Sequence, residues 1–391
     1  MLARFIPALA CAVVLAALAA GGGASAQGPQ AGQGAKPAAG AAEKQAKPPA
    51  PWPPDADTLK KRRQEAEALP LFSSQEPIDV VITADWKKVQ DDRNVDSEKL
   101  YPGTFAIAKG GTPGAPIPIE LRTRGHVRRN PVLCEFAPLR LELPKDKTKG
   151  TIFEGHGNIK LGTHCQSEGV YQQYMLKEYL ANRLHNVLTP RSLRVRLARV
   201  TYADTNPGRK PLTRFGIFYE DVDDMAKRVE ARELAVPQQR FPFLDQPALL
   251  FVSLFQYMIG NVDYSIMSLH NVIMLDTARG ARIPVPYDFD YSGLVNAHYA
   301  VPAKGLPITK VRERLYRGPC KTEAELEQAL APFREKQAEL LALPASLEAL
   351  GLSESQRKDA EKYLREFFDL IGKPDRVKKT FVTGCTPIGG M

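Results

Sequence analysis

Two short apolar segments separated by a turn are the feature that most constrains the fold of this chain. They are residues 272–275 (VIML) and 283–286 (IPVP), and residues 278–280 (ARG) between them are typical of a turn. Apolar runs this short, bounded by turn residues, indicate the two strands of a β-hairpin rather than a helix. Asn271 precedes the first strand and Asp288 follows the second. We therefore expect these two side chains, seventeen residues apart in the sequence, to lie close together.

Two further acidic residues flank the hairpin, Asp263 before it and Asp290 after it. Phosphoryl transfer from a nucleotide needs one carboxylate to orient the attacking hydroxyl. It also needs carboxylate and amide oxygens to hold Mg²⁺ against the phosphates. The pattern assigns the first role to Asp263 and the second to Asn271 and Asp288, with Asp290 assisting. Taken singly, each of these residues has a structural explanation as well, as a turn cap or a polar loop residue.

The order of these residues resembles the catalytic and metal-binding loops of protein-kinase-like enzymes. The elements of the resemblance are Asp263, His270-Asn271, the hairpin, and Asp288-Phe289-Asp290. Within that superfamily the chain is most similar to the CotH-like kinases, named for spore-coat protein H. The resemblance implies an α+β, two-lobed protein-kinase-like fold with a β-rich N-terminal lobe and a mainly α C-terminal lobe. Asp263 and Asn271 are about three residues further apart than in the kinase catalytic loop, so we expect the extra residues to loop out.

The same resemblance implies the ligands and the reaction. ATP would be the phosphoryl donor, Mg²⁺ (or Mn²⁺) the metal, and a protein or small molecule with a hydroxyl group the acceptor. Arg124-Gly125 resembles part of the Arg-Gly-Asn-Ser element that opens the nucleotide lobe. Glu220 matches the glutamate of a Gly-x-Tyr-x-x-x-Glu segment that passes between the lobes. The alternative for Arg124 is an arginine-rich surface turn.

A lysine and a helical glutamate complete the predicted nucleotide site. Lys160 is the residue that we expect on the phosphates, and Arg140 in the preceding strand is its rival. Glu178 lies in a helix predicted over residues 171–187, where apolar side chains recur at helical spacing. In kinase-like folds a helix in this position supplies the carboxylate that orients the nucleotide lysine. A surface salt bridge is the alternative explanation of Glu178.

The remaining periodicity fits a β-rich first part and a helical second part. Residues rich in Val, Ile, Phe and Leu between Gly or Pro turns predict strands, and apolar residues three or four apart predict helices. The predicted strands are 77–89, 103–109, 115–124 and 136–143, with a second hairpin from 192–202 and 213–220. The predicted later helices are 246–259, 323–343 and 353–371. The predicted boundaries are 71–220 for the nucleotide lobe and 221–391 for the catalytic-loop hairpin and helical lobe.

The first residues have the features of a secretory signal peptide. Residues 1–26 combine Arg4, an apolar stretch and a terminal Ala-Ser-Ala, so we expect cleavage and export to a periplasm or to the medium. Residues 27–70 are predicted to be a disordered linker rich in Ala, Pro and Gly. No later apolar run reaches the roughly 18 residues that span a bilayer. We therefore expect no transmembrane anchor after signal cleavage.

Four cysteines follow the predicted signal peptide: Cys134, Cys165, Cys320 and Cys385. An even number in an exported chain predicts two disulfides, for which three pairings exist. We favour Cys134 with Cys165 and Cys320 with Cys385, because each pair then closes a loop within one region of the chain. The alternative is a zinc site formed by Cys134, Cys165, His126 and His164, but the sequence lacks the Cys-x-x-Cys spacing of such sites.

The formal net charge of +9 suits acidic partners such as nucleotide phosphates, anionic lipids or acidic polymers. No aromatic stacking motif supports nucleic-acid binding, and no Gly-x-Ser-x-Gly motif supports a hydrolase. Exported compartments contain little ATP. The alternative to a kinase is therefore a catalytically inactive kinase-like scaffold that binds an acidic envelope or matrix component through its arginines.

Overall fold

The structure, a computed structural model, describes residues 51–236 and 240–385. The predicted signal peptide (1–26) and the first part of the predicted linker (27–50) lie outside the described residues. The strands are β1 (Ile78–Ala84), β2 (Tyr101–Lys109), β3 (Thr112–Pro113), β4 (Ile117–Thr123), β5 (Leu139–Glu142), β6 (Asn158–Gly162), β7 (Val195–Asp204), β8 (Leu212–Tyr219), β9 (Ala231–Glu233), β10 (Val272–Thr277) and β11 (Arg282–Pro286). The helices are α1 (Ala56–Glu67), α2 (Trp86–Asp91), α3 (Lys145–Thr148), α4 (Gly169–Leu188), α5 (Val222–Arg228), α6 (Gln246–Ile259), α7 (Glu323–Glu335), α8 (Gln337–Ser346), α9 (Glu354–Ile371) and α10 (Pro374–Val377). The fold is thus mixed α+β, as the sequence predicts.

The first eight strands form one sheet that closes on itself. Its order is β1-β7-β8-β6-β5-β4-β2-β3, and β1 also pairs with β2. Large apolar side chains fill the interior of this closed sheet, among them Phe105, Leu161 and Phe218, which are completely buried. Because inward and outward side chains alternate along each strand, this core fixes which residues of β6 and β8 face outwards.

A second, small sheet carries the predicted hairpin. Strands β10 and β11 pair in antiparallel fashion with Val272 opposite Pro286, and β9 pairs with the other edge of β10. The second predicted hairpin is confirmed as well, because β7 and β8 are antiparallel neighbours. Helix α6 packs against β11 and against α7. The apolar face of α6 therefore fixes the position of the loop that follows it.

The end of the predicted linker differs from the expectation. Residues expected to be disordered as far as 70 contain helix α1. Its N-cap is Asp55, whose carboxylate accepts a hydrogen bond from the Thr58 backbone at 2.8 Å. Arg63 pairs with Glu230 at 2.8 Å, so the helix is tied to the loop after α5. The Ala, Pro and Gly composition ends before this segment, and its Leu, Lys, Arg, Gln and Glu residues favour a helix.

One predicted strand is too long. Residues 77–89 were expected to be a single strand, but β1 ends at Ala84 and α2 begins at Trp86. The reason is local, because the Asp85 side chain accepts a hydrogen bond from the Lys88 backbone at 3.1 Å and caps the new helix. Trp86 and Val89 are buried apolar residues of α2. Apolar residues at these positions fit a strand as well as a helix, so they did not distinguish the two.

Both favoured disulfides are present. Cys134 bonds to Cys165 and Cys320 bonds to Cys385. Two disulfides are compatible with an exported protein, because oxidising compartments preserve them. In the described ranges, no helix has both the length and the apolar character that a bilayer crossing requires.

Two buried histidines are expected to make the fold sensitive to mild acid. Burial lowers the pKa of His164 and of His185 from 6.5 to about 3. The unfolded chain therefore binds protons below about pH 6.5 that the folded chain rejects, so stability falls as the pH decreases through this range. We expect each histidine to lower the free energy of unfolding by about 2 kcal/mol between pH 7 and pH 5.

Urea unfolding at pH 7, 6 and 5 measures this effect. The matched control is the double variant His164→Phe/His185→Phe, whose rings keep a similar shape but do not titrate. The variant should lose less stability than the wild type between pH 7 and 5, whatever its stability at pH 7. Parallel pH profiles for the two proteins would show that other groups cause the acid sensitivity.

Candidate active site

The loop that carries Asp263 is fixed from both sides. Helix α6 ends at Gly260, which has a left-handed backbone with φ of 65°. Arg317 donates hydrogen bonds from Nη1 to the carbonyl oxygens of Val262 at 2.7 Å and Tyr264 at 2.8 Å. These two carbonyls flank Asp263, so the guanidinium group holds its backbone in place. The Asp263 side chain remains about one-third exposed and is accessible to a ligand.

Asp263 and Asn271 are in direct contact despite their long spacing. Asn271 Nδ2 donates to the Asp263 carbonyl oxygen at 2.9 Å and to its Oδ2 at 3.1 Å, and His270 Nε2 lies 3.1 Å from Asp263 Oδ1. The extra residues loop out as expected, because the backbones of Ser265 and His270 exchange hydrogen bonds at 2.9 and 3.0 Å. The turn closed by these bonds brings Asn271 back beside Asp263.

The pairing of the hairpin brings Asn271 and Asp288 to the same end of it. The Tyr287 backbone N–H donates to the Asn271 carbonyl oxygen at 3.1 Å, so Asp288 is the next residue beyond this pair. Asn271 and Asp288 both have left-handed backbones, with φ of 52° and 61°. Such conformations are uncommon outside glycine, although Asn and Asp tolerate them best. They are often found where function constrains the backbone.

The oxygens that could bind a cation here are free of protein partners. Asn271 uses its Nδ2 on Asp263, and its Oδ1 accepts no hydrogen bond from the part of the chain that the structure describes. Asp288 has neither a hydrogen bond nor an ion pair with the described residues. Those residues contain no cluster of three or more His, Cys, Asp or Glu side chains that could hold a metal. One carboxylate and one amide oxygen nevertheless suit Mg²⁺, which usually keeps waters and phosphate oxygens as its other ligands.

Asp288 lies among negative charges. Its side chain is exposed to solvent, yet the surrounding protein desolvates the carboxyl, and Asp290 and Glu178 lie nearby. Desolvation and these two carboxylates raise the pKa of Asp288 to about 8. Burial and the charges of Asp290, Asp263 and Asp288 also raise the pKa of Tyr291. The charges of three aspartates thus act on one tyrosine, and a cation bound here would favour the ionised form of Asp288.

Arg124 and Lys160 are the two cationic side chains that the sequence places in the nucleotide site. Arg124, at the end of β4, and Lys160, on β6, form no side-chain hydrogen bond or ion pair within the described ranges. Burial lowers the pKa of both, and the Arg124 charge also lowers that of Lys160. The negative charge of Asp288 acts to raise the pKa of Arg124. The charge of Arg124 thus acts on both Lys160 and Asp288. Guanidinium and ammonium groups of this kind bind phosphate oxygens.

Glu178 and Asp290 are bound by a residue that the sequence did not single out. Arg128 Nη2 lies 3.2 Å from Glu178 Oε2 and 2.7 Å from Asp290 Oδ2. Tyr219 donates to Glu178 at 2.6 Å and Tyr299 to Asp290 at 3.2 Å. The cationic partner of Glu178 is thus Arg128 and not Lys160, and Asp290 is occupied rather than free to assist with a metal. Arg128 was one of several scattered arginines, and no motif distinguished it.

Two further predicted positions are occupied by protein contacts. Glu220 is completely buried, and it forms ion pairs with Arg194 at 2.8 Å and Arg228 at 2.9 Å. Its carboxylate therefore joins the start of β7 to α5, which argues against direct contact with a nucleotide. Arg140, the rival of Lys160, pairs with Glu142 at 2.8 Å and so has a structural partner.

The sequence-predicted residues thus fall into two groups. Asp263, Asn271, Asp288, Arg124 and Lys160 keep groups available for a ligand, whereas Glu178, Glu220 and Asp290 are held by arginines. No protein-family model matches this chain, and no curated protein matches it at a significant level. The chemistry of the site is therefore inferred from its residues and their contacts.

Proposed function

We propose that this protein is an exported CotH-like kinase that transfers the γ-phosphoryl group of a nucleotide to a hydroxyl group of an acceptor. The observation that carries the proposal is that Asn271 Oδ1 and Asp288 at one end of the hairpin accept no hydrogen bond from the described residues, while the charge of Arg124 acts on both Asp288 and Lys160. This is the combination that a polyphosphate and its divalent cation require. Asp263 adds an accessible carboxylate beside Asn271.

Each residue has a distinct role in this proposal. Asn271 Oδ1 and Asp288 would hold Mg²⁺ (or Mn²⁺), while Arg124 and Lys160 bind phosphate oxygens. When bound, the cation would neutralise charge on the phosphoryl group during transfer. Asp263 accepts a hydrogen bond from the acceptor hydroxyl and orients it towards the phosphorus. The contacts from His270 and Asn271 keep the Asp263 carboxylate in position for this task.

The finer fold assignment belongs to the same proposal. One hydrophobic core lies inside the closed sheet, and another joins α4 to helices α6–α9. These are the two largest of five hydrophobic clusters among the described residues, and their separation supports a division into two lobes. The predicted signal peptide and the two disulfides support export. ATP is the proposed donor, and the acceptor is a molecule with a free hydroxyl group.

A nucleotide titration with and without Mg²⁺ tests this function. We expect ATP to bind the wild type only with the metal present, and Asp288→Ala to abolish that binding. Asp276→Ala is the matched control, because Asp276 lies on the same hairpin but pairs with Arg232 at 2.9 Å. Absence of ATP binding to the wild type, or unchanged binding by Asp288→Ala, would contradict the proposal.

One observation favours the inactive scaffold as a second candidate. Arg128 occupies both Glu178 and Asp290, and Asp288 has no ion-pair partner within residues 51–236 and 240–385. A scaffold would bind an acidic polymer through its arginines and would bind no nucleotide. The same titration separates the two candidates, because Asp288→Ala would leave polymer binding unchanged.

A further inference from the structure

The loop after β4 is fixed at both of its ends. Arg128 lies in a short 3-10 turn, Val127–Arg129. The neighbouring Arg129 is buried and donates to the carbonyl oxygens of Thr123, at 2.6 Å, and of Asn94. Further along, the Cys134–Cys165 disulfide ties the loop to the segment that leads into α4. The backbone on both sides of Arg128 is therefore anchored, which positions its side chain.

The guanidinium group of Arg128 is only partly used by the protein. Its Nη2 contacts both Glu178 and Asp290, whose side chains are 3% and 8% exposed. Its Nε and Nη1 donate to no residue in the ranges that the structure describes, and the side chain keeps 18% exposure. Two buried carboxylates thus orient the group through one nitrogen and leave its remaining donors for a ligand.

We propose that Arg128 is the principal phosphate-binding residue of this site, in the role that the sequence assigned to Lys160. The ligand is the polyphosphate of a nucleoside triphosphate, so the inference rests on the proposed function. The free Nε–H and Nη1–H donors of Arg128 point away from different edges of a rigid plane and can each bind a phosphate oxygen, whereas Lys160 offers a point charge on a flexible stem. Lys160 also lacks a carboxylate to orient it, because Glu178 is bound to Arg128.

The charges of the site support this role. Asp263, Glu178, Asp288 and Asp290 carry four potential negative charges, and Arg124, Arg128 and Lys160 carry three positive ones. Asp290 and Glu178 raise the pKa of Arg128 well above its usual value despite its burial, so the group stays charged. A bound divalent cation would add two positive charges, so the cations together would offset the four carboxylates and the site would not repel a triphosphate.

The test compares the affinity of purified variants for ATP with Mg²⁺ by calorimetry. We expect Arg128→Met to weaken binding about 30-fold or more, since a hydrogen bond between charged groups is lost, and Arg128→Lys to weaken it about 5-fold. Lys160→Met should weaken it about 3-fold or less. The matched control is Arg122→Met, which removes an arginine of β4 that pairs with the exposed Glu98 at 2.7 Å, and its affinity should not change. Adenosine affinity should stay unchanged in every variant.

Removing Arg128 leaves two buried carboxylates unpaired and can destabilise the protein. The double variant Arg128→Met/Glu178→Gln removes one of these charges, and its thermal unfolding shows whether it is folded. If this double variant is folded and binds ATP about 30-fold more weakly than the wild type, the inference is supported.

Three results would overturn the inference. Unchanged ATP affinity in Arg128→Met would show a purely structural ion pair, and tighter binding would show that Arg128 blocks the site. A larger loss of ATP affinity in Lys160→Met than in Arg128→Met would show that Lys160 is the principal phosphate-binding residue. In each case the wild type binds ATP, so the proposed function stands. A wild type that binds no ATP with Mg²⁺ would instead refute the proposed function and this inference together.

Discussion

Replacing Asp263 with asparagine is expected to lower the rate of phosphoryl transfer about 1000-fold, because an amide cannot accept the hydroxyl proton or orient the hydroxyl in the same way. Asparagine has the same shape, so the fold should persist. Asp263 is not one of the proposed metal ligands, and ATP affinity should change by less than about 3-fold. Single-turnover experiments with γ-labelled ATP, measuring transfer to protein, added acceptor or water, provide the rate.

Asp276→Asn on the hairpin is the matched control for Asp263→Asn, because it changes the same chemical group outside the site. Its rate should equal that of the wild type. If Asp263→Asn loses ATP binding along with transfer, Asp263 is a ligand and not the orienting carboxylate. If it retains full activity, another group orients the hydroxyl.

Gly260→Ala is expected to lower the free energy of unfolding by about 3 kcal/mol. The left-handed backbone of Gly260, with φ of 65°, costs alanine about 1 kcal/mol. A Cβ atom would also overlap the Tyr363 hydroxyl, and relief of such a clash in a packed core costs about 2 kcal/mol more. Tyr363, on α9, is buried and has the guanidinium groups of Arg312 and Arg314 over its ring, so it has little room to move. Urea unfolding measures the change.

The double variant Gly260→Ala/Tyr363→Phe separates the two contributions. Removal of the hydroxyl relieves the closest contact and should leave a destabilisation of about 1 kcal/mol relative to Tyr363→Phe alone. If Gly260→Ala lowers the free energy of unfolding equally in the wild type and in Tyr363→Phe, the clash with the hydroxyl does not cause the destabilisation. A neutral Gly260→Ala would contradict the structure of the turn that leads to Asp263.

The elements that local patterns specify were predictable from the sequence. Short apolar runs bounded by turn residues correctly predicted strands β10 and β11. The same hairpin pairing predicted that Asn271 lies close to the residues after β11, and the Tyr287 backbone does contact it. The even cysteine count and the loop each pair closes gave the correct disulfides. The core-facing residues of α4 and α6 gave the helices that carry Glu178 and lead to Asp263.

The features that the sequence did not reveal depend on long-range contacts. The contact of Arg128 with Glu178 joins residues 50 apart, and its contact with Asp290 joins residues 162 apart. No periodic pattern encodes such pairs. The burial of Glu220 between Arg194 and Arg228 is likewise a property of the folded chain. Helix α2 was missed because a single capping residue, Asp85, decides between two conformations of one apolar run.

The most direct test of the proposed site is the location of the metal. Crystals grown with Mn²⁺ and a non-hydrolysable ATP analogue would show the ion by its anomalous scattering. The account predicts a peak at ligand distance from Asn271 Oδ1 and the Asp288 carboxylate, with the phosphates beside it. A metal bound elsewhere, with the side chains of Asn271 and Asp288 both free, would contradict it.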